Sequence, residues 1–460
     1  MPRRLSIVAA PLGHDIDPYR DQERGVDELA WLYADGLVGI GARPLLAASA
    51  PVARNGGTTY RYTLRAARWH DGKLVTARDV EAALSAVLQG YWGTYEPYRF
   101  VRRLDVLDAQ TFDVHLSAPT RRFVRTFFGA SGVPALPLIR HDGGDLPIGT
   151  GPYAVVRRPD SDTWFLQARS TSPRGVPAIS ELSVRMITFD STRSIEMASR
   201  EAFIALPLPP DAVAGPYTTV TRRTSAAAIV FNMEGPFGTV EARRACARFA
   251  DVPKLQSLYG RHAVRSIYAS LLMTGPGDEA WKAALAPIDP AHSGLRDAIG
   301  QHVLRLAYAT GSRSHERVML PLQDRLNHAG IRSEFRRQIS MRYTGADGPL
   351  RTGDFDLAVN GYAYVDADDL AADWSCAALP PRGGNFARWC DAETDRLLSR
   401  RDLGLALRHL YDRMVCLPLG ISSERIGIST ALAGVALPEM LAPFTYDCVR
   451  WRWAAPGTGR

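Results

Sequence analysis

The chain has 460 residues, of which 46% are hydrophobic and 22% charged, and its net charge is +7. At roughly 100–200 residues per domain, this length predicts two or three domains with a large buried core. The composition is that of an ordinary globular protein and excludes a disordered, collagen-like or coiled-coil chain. Proline or acidic residues interrupt every apolar run before the roughly 20 residues that a membrane helix needs, which excludes an integral membrane protein.

The distribution of charged and metal-binding residues excludes several further classes. The basic excess is spread over short pairs such as Arg222-Arg223 and Arg336-Arg337, which are typical of solvated faces, so we expect no nucleic-acid binding. The five cysteines form no Cys-x-x-Cys pair and the ten histidines no His-Glu-x-x-His motif, so we expect no metal. The segment 149–152 lacks the Gly-Lys-Ser/Thr of a phosphate loop, and no catalytic motif is present. We therefore expect neither an enzyme nor a cofactor.

The early part of the chain predicts strands with an intervening helix. Residues 58–64 alternate apolar and polar side chains, as a half-buried strand does, and an Asp-Gly turn follows at 71–72. Thr76 and Asp79 have the spacing of a capping box, which predicts a helix start. The face of this helix that we expect to be buried consists of Val80, Ala83, Leu84, Val87 and Leu88. Alternation at residues 112–116 predicts the next strand.

The later part of the chain has an α/β rhythm. Residues 302–309 predict a strand, a helix that Ser314 can cap follows, and 331–339 and 355–364 predict two further strands. This order and spacing are typical of a parallel βαβ unit. Because proline is tolerated in the first turn of a helix and not in its interior, Pro321 suggests a helix that begins later than Ser314.

Several short segments, taken in order, resemble one protein family. They lie at 14–18, 31–38, 60–65, 69–72, 76–80, 147–153, 231–232, 236–237, 240–245, 354–357, 361–362, 385–386 and 417–419. Together they resemble the family 5 extracytoplasmic solute-binding proteins of peptide-, dipeptide- and nickel-type ABC transporters, with the dipeptide- and haem-binding branch most similar. The resemblance extends over nearly the whole chain.

The resemblance implies an α/β, periplasmic-binding-protein-like two-lobe fold of class II. It has an extra subdomain inserted in the first lobe and a two-strand hinge, and ligand is enclosed when the lobes close. The implied division is 1–37, 149–231 and 419–460 for lobe I, 38–148 for the inserted subdomain, and 232–418 for lobe II. The segments 231–232 and 417–418 are expected where the hinge strands cross.

The resemblance also implies charged partners for the ends of a ligand. In the dipeptide branch a carboxylate beyond the Gly-aromatic strand end pairs with the ligand ammonium, which makes Asp366 and Asp368 candidates. The alternative is an acidic loop in which Asp368 or Asp369 caps a helix. Here the family's Asp-Pro-Asp is Asp-Ala-Asp. In that branch an arginine binds the ligand carboxylate. Here only Arg313 lies near the corresponding position, and it is out of register, so the possibility of a ligand without a free carboxylate stays open.

Aromatic side chains and one histidine complete the candidate ligand-binding residues. Tyr95 and Tyr98 lie where the family often contributes a cleft tyrosine, and Tyr362, Tyr364 and Trp374 flank the acidic loop. For each of these the alternative is packing in the core or between the lobes. His14 belongs to the first segment that resembles the family.

Two cysteines flank a Gly-Asn-aromatic loop. In the dipeptide and haem branch such cysteines are bridged, so the resemblance implies a disulfide between Cys376 and Cys390. In the chain-entropy model a bridge over such a loop stabilises by about 3 kcal/mol. It requires export, and the alternative is two free thiols in a reducing compartment.

The resemblance implies a monomeric receptor that captures a peptide or related small solute in an interlobe cleft and delivers it to the membrane subunits of an ABC importer. Its expected location is periplasmic or extracytoplasmic. The apolar run at 5–10 is too short for a signal peptide. This favours the alternative, a cytoplasmic ligand-sensing or biosynthetic protein with the same fold. A wrongly assigned start codon or an already processed chain would explain the observation equally.

Overall fold

The structure is a computed structural model of the chain. The residues that it describes are 4–10, 17–19, 24–90, 93, 98–120, 123–129, 136–209, 211–259, 293–310, 312–345, 347–362, 367–436 and 443–455. Among them, only the backbone is described at 24–27, 223–225, 313, 340–341 and 421–423. No helix within these ranges is both long and apolar enough to cross a membrane.

Strands and helices alternate along most of the chain. The strands are β1 (Leu5–Ala9), β2 (Val52–Arg54), β3 (Thr59–Thr63), β4 (Val101–Val106), β5 (Thr111–Leu116), β6 (Tyr153–Asp160), β7 (Thr163–Ala168), β8 (Glu181–Met186), β9 (Ile204–Leu206), β10 (Tyr217–Phe231), β11 (Leu304–Thr310), β12 (Ser333–Ile339), β13 (Leu357–Tyr362), β14 (Cys416–Ser429), β15 (Leu432–Ala433) and β16 (Arg452–Trp453). The helices are α1 (Arg24–Tyr33), α2 (Ala77–Gln89), α3 (Phe123–Thr126), α4 (Asp190–Ser199), α5 (Val240–Ala250), α6 (Val252–Tyr259), α7 (Leu295–Ile299), α8 (Arg313–His328), α9 (Ser340–Tyr343), α10 (Pro349–Thr352), α11 (Ala367–Trp374), α12 (Ala392–Ser399) and α13 (Leu403–Asp412).

The chain forms two compact units. Unit 1 comprises Met1–Arg222 and Glu424–Arg460, and unit 2 comprises Arg223–Ser423. The chain passes from one unit to the other inside β10 and again inside β14. The predicted lobe boundaries, after residue 231 and before residue 419, fall in these same two strands, and the three-part division stays a prediction.

Unit 1 contains a mixed sheet and a separate antiparallel sheet. In the mixed sheet β1 pairs in parallel with both β8 and β9, and β7 and β6 continue antiparallel beyond β8. The separate sheet has the order β2-β3-β5-β4 and lies within the segment predicted as the inserted subdomain. Its buried face carries Tyr62, which stacks on Phe112 with ring centroids 5.3 Å apart.

The capping box forms as predicted at the start of α2. The amide of Thr76 donates to Asp79 Oδ2 at 2.7 Å, and the Trp69 indole donates to the same oxygen at 3.3 Å. The predicted apolar face is buried at Val80, Ala83, Leu84 and Val87. Asp79 therefore fixes the helix start and also ties it to the preceding turn.

The Gly-Thr-Gly loop at 149–151 has a structural reason. A Cβ atom at Gly149 would lie 1.8 Å from the Tyr33 carbonyl oxygen, and one at Gly151 would lie 2.5 Å from the Ala34 amide. Glycine is therefore required for this loop to pass against the end of α1. Between the two glycines, Thr150 Oγ1 accepts the amide of Asp35 at 3.1 Å.

Unit 2 contains the predicted βαβ unit. β11 pairs in parallel with β12 and β13, α8 connects β11 to β12, and β10 pairs antiparallel with β13. The predicted apolar face of α8 is buried at Val318, Leu322 and Leu326. This core holds α8 against one face of the sheet.

Two expectations about α8 were wrong. The helix starts at Arg313, so Ser312 rather than Ser314 occupies the N-cap position. Pro321 lies in the helix interior and not in its first turn. Proline there removes the hydrogen bond to the Arg317 carbonyl, but Arg317 is exposed and water can bind that carbonyl. The buried apolar face outweighs the lost bond.

Replacing the capping carboxylate tests how far the start of α2 depends on it. Asp79→Ala is expected to lower the free energy of unfolding by about 1–2 kcal/mol, because the cap is lost and the Trp69 indole loses its acceptor. Urea denaturation measures the change. Glu81→Ala is the matched control on the same helix, since its exposed ion pair with Arg78 is worth less than about 1 kcal/mol. Equal effects of the two substitutions would contradict the assignment.

Candidate functional site

The parallel strands of each unit end together at one edge of the sheet. In unit 2 these are the carboxyl ends of β11, β12 and β13, which we call the unit 2 edge. In unit 1 they are the carboxyl ends of β1, β8 and β9, which we call the unit 1 edge. Ligands of open α/β sheets bind outside the carboxyl ends of the strands. The candidate site residues are therefore sought among the segments that follow these strands.

Tyr362, at the unit 2 edge, and Trp374 pack against each other. Tyr362 is the last residue of β13 and is 4% exposed, and its ring centroid lies 5.5 Å from that of Trp374, which is 1% exposed. Burial raises the pKa of the Tyr362 hydroxyl well above its ordinary value. The structure thus places both in a core with Leu370, and their predicted role as ligand walls stays a prediction.

The acidic loop is only partly described. Tyr364 and Asp366 lie outside the described residues. Asp368 lies in the first turn of α11, with its carboxylate 3.3 Å from the Arg401 guanidinium. The helix begins at Ala367, so the alternative that Asp368 or Asp369 is the N-cap was wrong. In the first turn its negative charge still interacts favourably with the helix dipole.

Sequence reasoning missed His315, which lies at the unit 2 edge. It is in the first turn of α8, two residues after Arg313, of which only the backbone is described. Its ring centroid lies 6.4 Å from that of Tyr343, which follows β12, and its Nδ1 atom is buried with no hydrogen-bond partner among the described residues. Burial lowers the pKa of the His315 imidazole to about 4. The imidazole is therefore neutral near pH 7.

The start of α8 offers further hydrogen-bond donors beside His315. The N-cap residue Ser312 makes no side-chain cap, and its hydroxyl lies 3.1 Å from that of Ser314. The first amides of a helix have no partner within the helix. A carboxylate or carbonyl oxygen is the group that such amides and a neutral imidazole N–H would bind. The sequence signal for this was the position of His315 just after a parallel strand.

Of the remaining tyrosine and histidine candidates, the structure describes only Tyr98. Tyr98 is fully buried in unit 1, where its ring packs against Phe127 and Phe128 and its hydroxyl accepts the Phe128 amide at 3.2 Å. Tyr95 and His14 lie outside the described residues. The ligand contacts predicted for all three stay predictions.

The structure joins Cys376 and Cys390 by a disulfide. The loop between them is organised by Asn385, which is fully buried and donates to the carbonyls of Ser375 at 2.9 Å and Trp389 at 2.6 Å. Since the amide of Cys376 also donates to Asp395, the loop is held at several points. The Gly-Asn-aromatic motif therefore has a structural role.

A groove of about 350 Å³ lies at the opposite end of α8, beside α6. It is lined by apolar and charged side chains, among them Leu255, Pro321 and His328. Because α8 runs away from the unit 2 edge, this groove is remote from the carboxyl ends of the strands. The described residues contain no group of three or more His, Cys, Asp or Glu side chains that could hold a metal ion.

The chain forms two α/β units joined by two long strands, and the parallel strands of each unit end at a common edge. This is the architecture of a solute-binding protein of the periplasmic-binding-protein type. The chain belongs to the bacterial extracellular solute-binding proteins, family 5, whose "family 5 Middle" model matches residues 41–376. The predicted family and fold class are thereby confirmed.

The chain resembles the following relatives only distantly in sequence. The chain is 26% identical over 212 residues to the glutathione-binding protein GsiB of Salmonella paratyphi A, a match over 42% of this chain and 40% of that protein. It thus spans less than half the length of the curated relatives it matches. The solved structure of AgaA with agropinic acid, from A. tumefaciens R10, is 17% identical with a TM-score of 0.74, over 98% of this chain and 99% of that one.

A second solved structure supports the same fold. DppA from Helicobacter pylori, in complex with the peptide STSA, is 15% identical with a TM-score of 0.71, over 98% of each chain. At these identities the two structures establish the fold alone.

The lowered pKa of the His315 imidazole predicts a distinct pH dependence. Because the unfolded chain protonates His315 with the ordinary pKa of about 6.5 and the folded chain only at about 4, the free energy of unfolding decreases as the pH falls through this window. In His315→Gln this decrease is expected to be shallower. Nuclear magnetic resonance titration of the histidine rings, with the variant as assignment control, measures the midpoint directly. A midpoint of about 6.5 for His315 would contradict its burial.

Proposed function

We propose that the chain is the substrate-binding component of an ABC importer and captures a peptide or a related small solute. The observation that carries the proposal is the buried Nδ1 atom of His315, which has no hydrogen-bond partner within the part of the chain that the structure describes. It lies at the carboxyl edge of parallel strands in a family 5 solute-binding protein. A buried polar atom without a partner costs about 1–3 kcal/mol in the free protein. A ligand oxygen would remove that cost, which favours the bound state.

The proposed solute carries a carboxylate at one end and an ammonium at the other. His315 and the first amides of α8 would donate hydrogen bonds to a carboxylate oxygen. The ammonium would pair with Asp366 or Asp368, of which Asp368 also contacts Arg401. Glutathione and the peptide STSA, which two relatives' names give as ligands, have chemistry of this kind.

The proposed location is periplasmic or extracytoplasmic, and the proposed partners are the membrane subunits of an ABC importer. The disulfide supports this, because such bonds persist in oxidising compartments and are rare in the cytosol. The proposed protein is a monomer that closes about its two long connecting strands when it binds solute. It is a binding role, with no chemical conversion of the solute.

Matched peptides test the proposed function. Titration calorimetry of the wild-type chain with Ala-Ala-Ala, its carboxy-amidated form and its amino-acetylated form is expected to show the tightest binding for the unmodified peptide. Blocking either end removes one charged contact and is expected to weaken binding at least tenfold, or about 1.4 kcal/mol. Glutathione, with two carboxylates, extends the set.

Two substitutions test which residue binds each end of the peptide. His315→Gln is expected to reduce the discrimination against the amidated peptide, and Asp366→Asn the discrimination against the acetylated one. His328→Gln, at the exposed far end of α8, is the control and is expected to bind like the wild type. Failure of the wild-type chain to bind any of these compounds would overturn the proposed function.

A further inference from the structure

The segments that follow the unit 1 strands are held close together. The amide of Ile187, just beyond β8, donates to the Ala9 carbonyl at 2.7 Å, and the amide of Ala10 donates to the Leu206 carbonyl at 2.9 Å. The residues at 187–189 therefore lie next to the carboxyl ends of all three parallel strands.

A buried arginine fixes this arrangement. Arg193, in α4, is 3% exposed and its guanidinium donates to the carbonyls of Ile187, Thr188 and Pro207. These carbonyls belong to the segments that leave β8 and β9. Since one rigid side chain binds both segments, the backbone that leads into α4 is preorganised.

Phe189 projects from this fixed backbone into solvent. Its side chain is 68% exposed, more than any other large apolar side chain among the described residues. It occupies the N-cap position of α4, with extended backbone angles and no side-chain cap. Serine, threonine, aspartate and asparagine are strongly preferred there, because their side chains bind the free helix amides. Phenylalanine thus gives up a cap and exposes a ring.

We propose that Phe189 forms an apolar subsite at the unit 1 edge, which binds an apolar side chain of the captured solute. The inference rests on the proposed function and names a substrate preference within it. The position carries the argument, because ligands of this sheet architecture lie outside the carboxyl ends of the parallel strands. An aromatic ring on a rigid backbone offers a large contact area with little loss of side-chain freedom on binding.

Phe189→Ser separates binding from stability. Serine restores a preferred N-cap residue, so the variant is expected to unfold at the same or a higher temperature than the wild type. If Phe189 binds an apolar side chain, the same variant loses affinity for solutes that carry one. If Phe189 merely packed within the fold, Phe189→Ser would lower the unfolding temperature.

The probes are tri-alanine and its three variants with one phenylalanine, measured by titration calorimetry. The wild-type chain is expected to bind at least one phenylalanine peptide about tenfold more tightly than tri-alanine. Phe189→Ser is expected to abolish this preference while retaining the affinity for tri-alanine. Ile195→Ser is the matched control, since Ile195 is 57% exposed on the same helix.

Each other outcome overturns the inference in a recognisable way. An unchanged preference in Phe189→Ser would remove Phe189 from the site and leave the proposed function intact. A lower unfolding temperature with uniformly weaker binding would make it structural. Unchanged binding with lost transport would make it a contact for the membrane partner. A wild-type chain that binds none of the peptides would overturn the proposed function and the inference together.

Discussion

Parallel strand pairing is the constraint on which the rest of this structure depends. Because β11 runs parallel to β12 and β13, the segments that follow the three strands must emerge at one edge, and the same holds for β1, β8 and β9. This topology brings His315, at the start of α8, next to Tyr343, which is distant in sequence. It likewise brings Phe189 beside the end of β1. Each candidate binding group owes its position to the direction of a strand.

Buried charges hold distant segments of unit 1 together. In unit 1, Arg222 in β10 binds Glu28 of α1 at 3.0 Å and Glu424 of β14 at 2.7 Å. Burial disfavours the charged guanidinium, but the two carboxylates outweigh that effect and raise the pKa of Arg222 above its ordinary value. Asp35 and Arg174 form a second buried pair at 2.5 Å. Such pairs are costly to break, at about 3–5 kcal/mol when one partner is removed, so they hold distant segments in one arrangement.

How much could be predicted from the sequence depended on how local the signal was. The capping box of Thr76 and Asp79 involves neighbours in the chain, and it forms as expected. The βαβ unit followed from periodicity, whereas the passage of α8 through Pro321 depended on tertiary packing that no local rule contains. Family membership followed from the order of many short segments.

The site was less predictable, because burial is decided by residues far away in sequence. Tyr98 and Tyr362 are aromatic residues of the kind that line ligand pockets. Only the packing of Phe127 and Trp374 against them shows that they are buried. Conversely, His315 and Phe189 are ordinary residues in their local sequence. His315 is notable for a buried atom that has no partner among the residues whose placement is described, and Phe189 for an exposed ring at a helix start.

Hydrogen–deuterium exchange with and without a saturating tripeptide tests most directly whether solute binds at the carboxyl edges. Protection is expected at 187–193 and at 312–316. No protection is expected at the opposite, amino edge of the unit 2 strands, where His302 and Arg305 bind the buried Asp356. Protection confined to that amino edge, or to the groove between α6 and the far end of α8, would contradict the account.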